Sequence, residues 1–156
     1  MKRTIVLFGV AFIAVIALAV SAYAVTTEEE LEGLLGRIEL LVATLNQQGY
    51  TIVHIEVDKL EKGQSYIASR EFFTANDYVI AGIGGIGIGD LDVQLYDGKD
   101  NLIDEDNSDD NLPVVEVSPK FNGKYKVKVT PYSLEADADP EGEYFFCYII
   151  GFKRSE

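Results

Sequence analysis

Cysteine occurs once, at Cys147, histidine once, at His54, and tryptophan not at all. A single thiol excludes an intrachain disulfide, so the fold must be held by core packing. A solitary histidine excludes a multi-histidine metal centre, and no serine sits in the G-x-S-x-G setting of a nucleophile elbow. His54, flanked by Ile52, Val53 and Ile55, reads as a strand residue with a local hydrogen bond, and Cys147 as an inert core thiol. Basic residues are also scarce: 13 Lys and Arg stand against 26 Asp and Glu, a formal charge of −13. Such a field repels nucleic acid and anionic lipid, so neither is an expected partner.

Long apolar runs are confined to the N-terminus. Lys2 and Arg3 precede the apolar stretch Thr4 to Val20, and Ala22-Tyr23-Ala24 supplies a small-x-small cleavage site. Residues 1–24 therefore read as a signal peptide, with the mature chain starting at Val25. The stretch lies at the low edge of what spans a bilayer, so cleavage rather than anchoring is expected, with no membrane association afterwards. It contains no cysteine, which argues against a lipid anchor there. The expected location is periplasmic or extracellular. The mature charge is −15, from 11 basic and 26 acidic residues.

Residues 25–49 form an expected amphipathic helix: Leu31, Leu34, Leu35, Ile38, Leu41, Val42 and Leu45 recur on one stripe. Thr27 and Glu30 have capping-box spacing, Glu28 to Glu30 suit the positive end of the helix dipole, and Gly49 suits its C-terminal stop. Gly33, Gly36, Leu40 and Ala43 lie on the opposite face, which offers a close contact for a homo-oligomer.

From residue 50 the period becomes alternating. The expected strands are Thr51 to Val57, Gln64 to Phe72, Tyr78 to Ile83, Leu91 to Tyr96, Leu102 to Ile103, Val114 to Val117, Lys124 to Thr130 and Tyr144 to Phe152. The last carries apolar residues on both faces and should be central. In the seventh, Lys124, Lys126 and Lys128 alternate with inward Tyr125, Val127 and Val129, a charged row of the kind that protects a sheet edge. The fold class is thus mainly β: a jelly-roll or Greek-key sandwich of seven or eight strands over residues 50–156, preceded by one helix.

The segment Asp90-Leu91-Asp92-Val93-Gln94-Leu95-Tyr96-Asp97, then Asn101-Leu102-Ile103, an acidic turn, and Pro119-Lys120-Phe121-Asn122-Gly123-Lys124-Tyr125-Lys126-Val127-Lys128-Val129 resembles the bacterial pre-peptidase C-terminal domain. The likeness extends over about residues 64 to 152. It implies a secreted jelly-roll sandwich, a role in binding matrix or assisting secretion, and calcium in some members. Gly98-Lys99-Asp100-Asn101 departs from the usual turn, and no protease domain is present, so no activity carries over.

Asp104-Glu105-Asp106-Asn107-Ser108-Asp109-Asp110-Asn111 concentrates oxygen ligands of the type calcium takes, without the glycine and glutamate positions of an EF-hand. Asp104, Asp106, Asp109 and Asp110, completed by Asp90, Asp92 and Asp97 from the neighbouring strand, are the candidate metal ligands, with calcium the expected cofactor. An ordinary solvated turn would account for the same residues. Gly82-Ile83-Gly84-Gly85-Ile86-Gly87 matches G-x-G-x-x-G, but Gly89-Asp90 leads into a strand rather than a helix, so a glycine-rich hinge or bulge is expected instead of a nucleotide site. Tyr132, beside Pro131, is the candidate ligand-stacking aromatic. These features describe a non-enzymatic exported module binding a protein or polysaccharide. A hydrolase built on Asp90 and Asp92, adjacent outward positions of one strand, is the remote alternative.

Overall fold

The computed structural model describes residues 26–155. The expected signal peptide lies outside the described residues. Among those described, no helix is long and apolar enough to cross a membrane.

Helix α1 (Thr26–Gln47) is followed by β1 (Thr51–Glu61), β2 (Tyr66–Phe72), β3 (Asn76–Gly84), β4 (Ile88–Tyr96), β5 (Leu102–Asp106), β6 (Val114–Val117), β7 (Gly123–Leu134) and β8 (Glu143–Arg154). The first sheet has the order β1-β8-β3-β6 and the second β2-β7-β4-β5, and every pairing is antiparallel. Strand β1 pairs with β8, β2 with β7, β3 with β6 and β4 with β5. That is an eight-strand chain doubled back on itself into four pairs and rolled across two sheets, the jelly-roll topology.

Alternation places the core. Between the sheets lie Phe72, Ile80, Leu91, Val93, Leu95, Val127, Val129, Phe146, Tyr148 and Ile150. The opposite face of β8 and β3 presents Cys147, Ile149, Val79 and Ile83 to the helix stripe of Leu34, Ile38 and Leu45. The apolar stripe is thus spent on the chain's own sandwich, and β8 is central with both faces buried. Burial pushes the Cys147 thiol up to about 12, which keeps it protonated and inert. The helix begins at Thr26, ahead of the expected cap at Thr27, and ends where Gly49 adopts a φ of 88° and the Tyr50 N–H reaches the Leu45 carbonyl at 3.0 Å. The Gly33, Gly36, Leu40 and Ala43 face is exposed.

The glycine-rich segment opens no helix. It is the tight crossing from β3 to β4, from one sheet to the other. A Cβ at Gly82 would come within 2.9 Å of Pro113, and one at Gly87, whose φ is 94°, within 2.2 Å of the Tyr144 ring. Close packing, not phosphate, explains these glycines. The lysine row on β7 also differs from its expected role: β7 lies between β2 and β4, so the lysines face outward from a sheet interior and protect no edge.

On the open side between β1 and β2, Arg70 reaches across the sandwich from β2 to the Tyr148 hydroxyl and to Nε2 of His54, 2.7 Å away. Burial first, and the Arg70 charge second, hold His54 below its ordinary pKa, against the opposing influence of Glu56. A neutral Nε2 accepts the Arg70 N–H; a proton there would remove the lone pair and set two cations side by side. Because the folded value is depressed, the stability this contact supplies is present above the unfolded value of 6.5 and is lost as pH falls through the lower folded value. Thermal melts between pH 7 and 4.5 should therefore show a loss of about 1 kcal/mol on this account. A His54→Phe variant should lack that component, and an unchanged profile in the variant would refute the assignment.

Candidate functional site

The seven candidate metal ligands separate into four groups, Asp110 standing apart as a backbone cap. Asp97 is a turn residue: its carboxylate accepts the Lys99 N–H at 2.8 Å, the Asn101 N–H at 2.9 Å and the Asn101 side-chain amide at 2.9 Å. Those Asn101 bonds hold it below the usual carboxylate range. It closes the β4 to β5 connection and does not meet the others.

Asp104 and Asp106 sit on β5, at the edge of the second sheet, and serve the exposed edge of the first. Asp104 accepts the Glu116 N–H at 3.0 Å and Asp106 the Val114 N–H at 2.8 Å. These β6 amides would otherwise be open to another strand, so the carboxylates blunt an edge. Burial alone would raise Asp106, but hydrogen bonds from Ser108 and the Val114 N–H outweigh it and hold the carboxyl low.

Asp90, Asp92 and Asp109 do converge, and Tyr132 joins them. With Asn107 and Ser133 they line a cleft of about 470 Å³ on the outer face of the second sheet. Leu91, Val93 and Leu95 of β4 point into the sandwich, so Asp90 and Asp92 point out, as the alternation requires. Two irregularities shape the site. Asp90 pairs with Ser133 while Leu91 pairs with Pro131, leaving Tyr132 as an extra residue in β7 with no ladder partner. Pro131, which has no N–H to give, lies just past the end of the β2 pairing at Val129, where such a bulge is tolerated. The bulge turns the Tyr132 ring outward, 66 % exposed.

The second irregularity is the run from Asn107 to Pro113. It continues beside β4 after β5 ends, with the Asp110 carbonyl accepting the Leu91 N–H at 2.9 Å. It then crosses to the first sheet, where the Asn111 and Pro113 carbonyls accept the Gly84 and Gly82 N–H groups, each at 2.8 Å. Asp110 itself caps this run, accepting the Leu112 N–H at 2.8 Å. Arg37 of α1 donates to the Gly84 carbonyl and, at 2.8 Å, to Oδ1 of Asn111, fastening helix and loop together.

Covered by this loop, Asp90 is only 5 % exposed, and its Oδ1 has no hydrogen-bond partner in the protein. Burial, then the charges of Asp109 and Asp110, raise its pKa above the ordinary carboxylate value. Asp92 is raised by burial and then by Asp90 and Glu105, with Lys128 opposing. The ion pairs among the described residues join Arg70 to Glu56 and Lys126 to Asp100, neutral His54 lying beside the first, and none reaches the cleft.

No family model matches the chain, and no characterised protein aligns with it significantly. A calcium ion takes six to eight oxygens at close range. Among the described residues no group of three or more His, Cys, Asp or Glu side chains is drawn together as metal ligands would be. The carboxylates line the cleft without forming a compact metal cage.

Sequence reasoning missed Arg37, Asn107, Asn111 and Ser133. Arg37 carried a signal, since it is the lone basic residue of α1. The other three are neutral polar residues, Asn107 and Asn111 in the crossing loop and Ser133 beside the β7 bulge, and nothing in the pattern distinguishes them.

Proposed function

We propose that the protein is an exported, non-enzymatic binding module that holds a protein or polysaccharide partner through the cleft of Asp90, Asp92, Asn107, Asp109, Tyr132 and Ser133. The observation that supports it is the convergence of a buried, unpartnered carboxylate oxygen with an exposed aromatic ring in one concavity. Ligand sites commonly combine a concave shape with a few placed polar groups. The N-terminal signal pattern supports export. The jelly-roll order agrees with the fold implied by the likeness to pre-peptidase C-terminal domains, but folds host many functions, so the cleft rather than the fold carries the reading.

In the polysaccharide form of this proposal a sugar ring stacks on Tyr132 while its hydroxyls donate to Asp92 and Asn107.

The reading is tested by retention of the purified protein on a panel of immobilised polysaccharides and exported proteins, beside Tyr132→Ala and Asp92→Asn variants. Retention by a defined member, weakened at least fivefold in both variants, is expected. Retention indifferent to both variants would move the site elsewhere on the molecule and contradict the proposal.

A further inference from the structure

Five features of the cleft constrain the chemistry of what fills it. Its ionisable lining is entirely acidic, with Asp90, Asp92 and Asp109 on the wall. No ion pair among the described residues neutralises them, and Lys128 is the one basic group whose charge is felt, at Asp92. Oδ1 of Asp90, in a side chain 5 % exposed, has no donor within the protein, so the chain leaves this charge beside the cleft poorly compensated. The volume of about 470 Å³ far exceeds that of a bare ion, since a water molecule occupies only about 30 Å³. The carboxylates are also not gathered as metal donors.

The fifth feature is Tyr132, whose exposed ring stands at the same cleft. Aromatic faces attract cations, and do so most when the cation is weakly hydrated and carried on an apolar stem. Asn107 and Ser133 supply neutral acceptors for remaining N–H groups.

We infer that the cleft binds the ammonium or guanidinium head of an organic cation, with the carboxylates of Asp90, Asp92 and Asp109 balancing its charge and Tyr132 covering its stem. The inference rests on the binding-module reading and names its ligand class. Two sources carry this chemistry: the Lys or Arg side chain of an exported partner protein, or a free diamine.

The test is calorimetric titration of the purified protein in 150 mM salt with 1,4-diaminobutane, with the tripeptides Gly-Lys-Gly and Gly-Arg-Gly as amides, with calcium chloride and with cellobiose. Asp90→Asn and Tyr132→Ala variants run alongside, and circular dichroism confirms that each is folded. Saturable binding of an amine or guanidinium probe is expected, weakened at least tenfold by Asp90→Asn and severalfold by Tyr132→Ala. Tighter diamine binding would assign a free ligand, and tighter peptide binding a basic partner. Equal cation binding by wild type and Asp90→Asn would reduce the effect to general surface charge and overturn the inference. Calcium or cellobiose binding that depends on Asp90, without cation binding, would overturn it while leaving the cleft as the binding site. No binding of any probe overturns it as well, and the polysaccharide and protein panel then decides the wider reading separately.

Discussion

Phe146→Ala should destabilise the protein by about 3–5 kcal/mol, the usual range for emptying a buried aromatic site. Phe146 is fully buried in β8, at the centre of the first sheet, with the Tyr66 ring 5.5 Å away across the core. Its flanking strands are hydrogen-bonded on both sides, so the backbone has little freedom to collapse into the space left behind. Small domains have only about 5–15 kcal/mol in total, so this loss removes a large share. The neighbouring Phe145 faces the helix side, is only half-buried, and carries Lys59 over its ring at 4.3 Å. Its alanine variant should cost clearly less. Urea unfolding of the two variants checks the alternation directly; equal losses would mean that the inner and outer faces of β8 are wrongly assigned.

Asp90→Asn should do the opposite and stabilise the unliganded protein at neutral pH, by about 1–3 kcal/mol if the buried carboxylate, whose Oδ1 has no partner, bears the usual cost of such a group. The pH dependence separates this from a packing effect. Asp90 has a folded pKa above its unfolded one, so its contribution is fully present below the unfolded value and is lost as pH rises through the folded value. The amide variant lacks that loss. Its advantage should open as pH rises and vanish in acid. A wild type as stable as the variant at pH 7 would mean that the carboxylate is satisfied. Gain of stability with loss of ligand is the trade expected where a site is held strained for binding.

The sandwich was legible because period-2 alternation is a strong signal where one sheet face is buried. All eight strands lie where the alternation of residues such as Tyr125, Val127 and Val129 put them, and the two-faced hydrophobicity of Tyr144 to Phe152 marked the central strand. Boundaries were less legible. Strand β1 runs on to Glu61 because Asp58 to Glu61 pair with Glu143 to Phe146, a long-range match that local composition conceals. Strand β5 extends through Asp104 to Asp106, where acidic composition suggests a loop, because those carboxylates cap the amides of β6.

The candidate site was legible in part. Asp90, Asp92 and Asp109 were singled out as metal ligands and Tyr132 as a stacking aromatic, and the fold brings all four to one cleft. Their meeting depends on the β7 bulge at Tyr132 and on the crossing loop from Asn107 to Pro113, neither of which has a sequence period. Proximity along the chain misled for Asp104 and Asp106, which share the acidic run with Asp109 but spend their oxygens on backbone amides.

The most direct test of the central claim is an amide chemical-shift titration of the purified protein with 1,4-diaminobutane. Saturable shifts concentrated at Gly89 to Asp92, Asn107 to Asp110 and Tyr132 to Ser133, and absent in Asp90→Asn, are expected. Shifts centred on the Arg70 and His54 side, or spread evenly over the acidic surface, would contradict it.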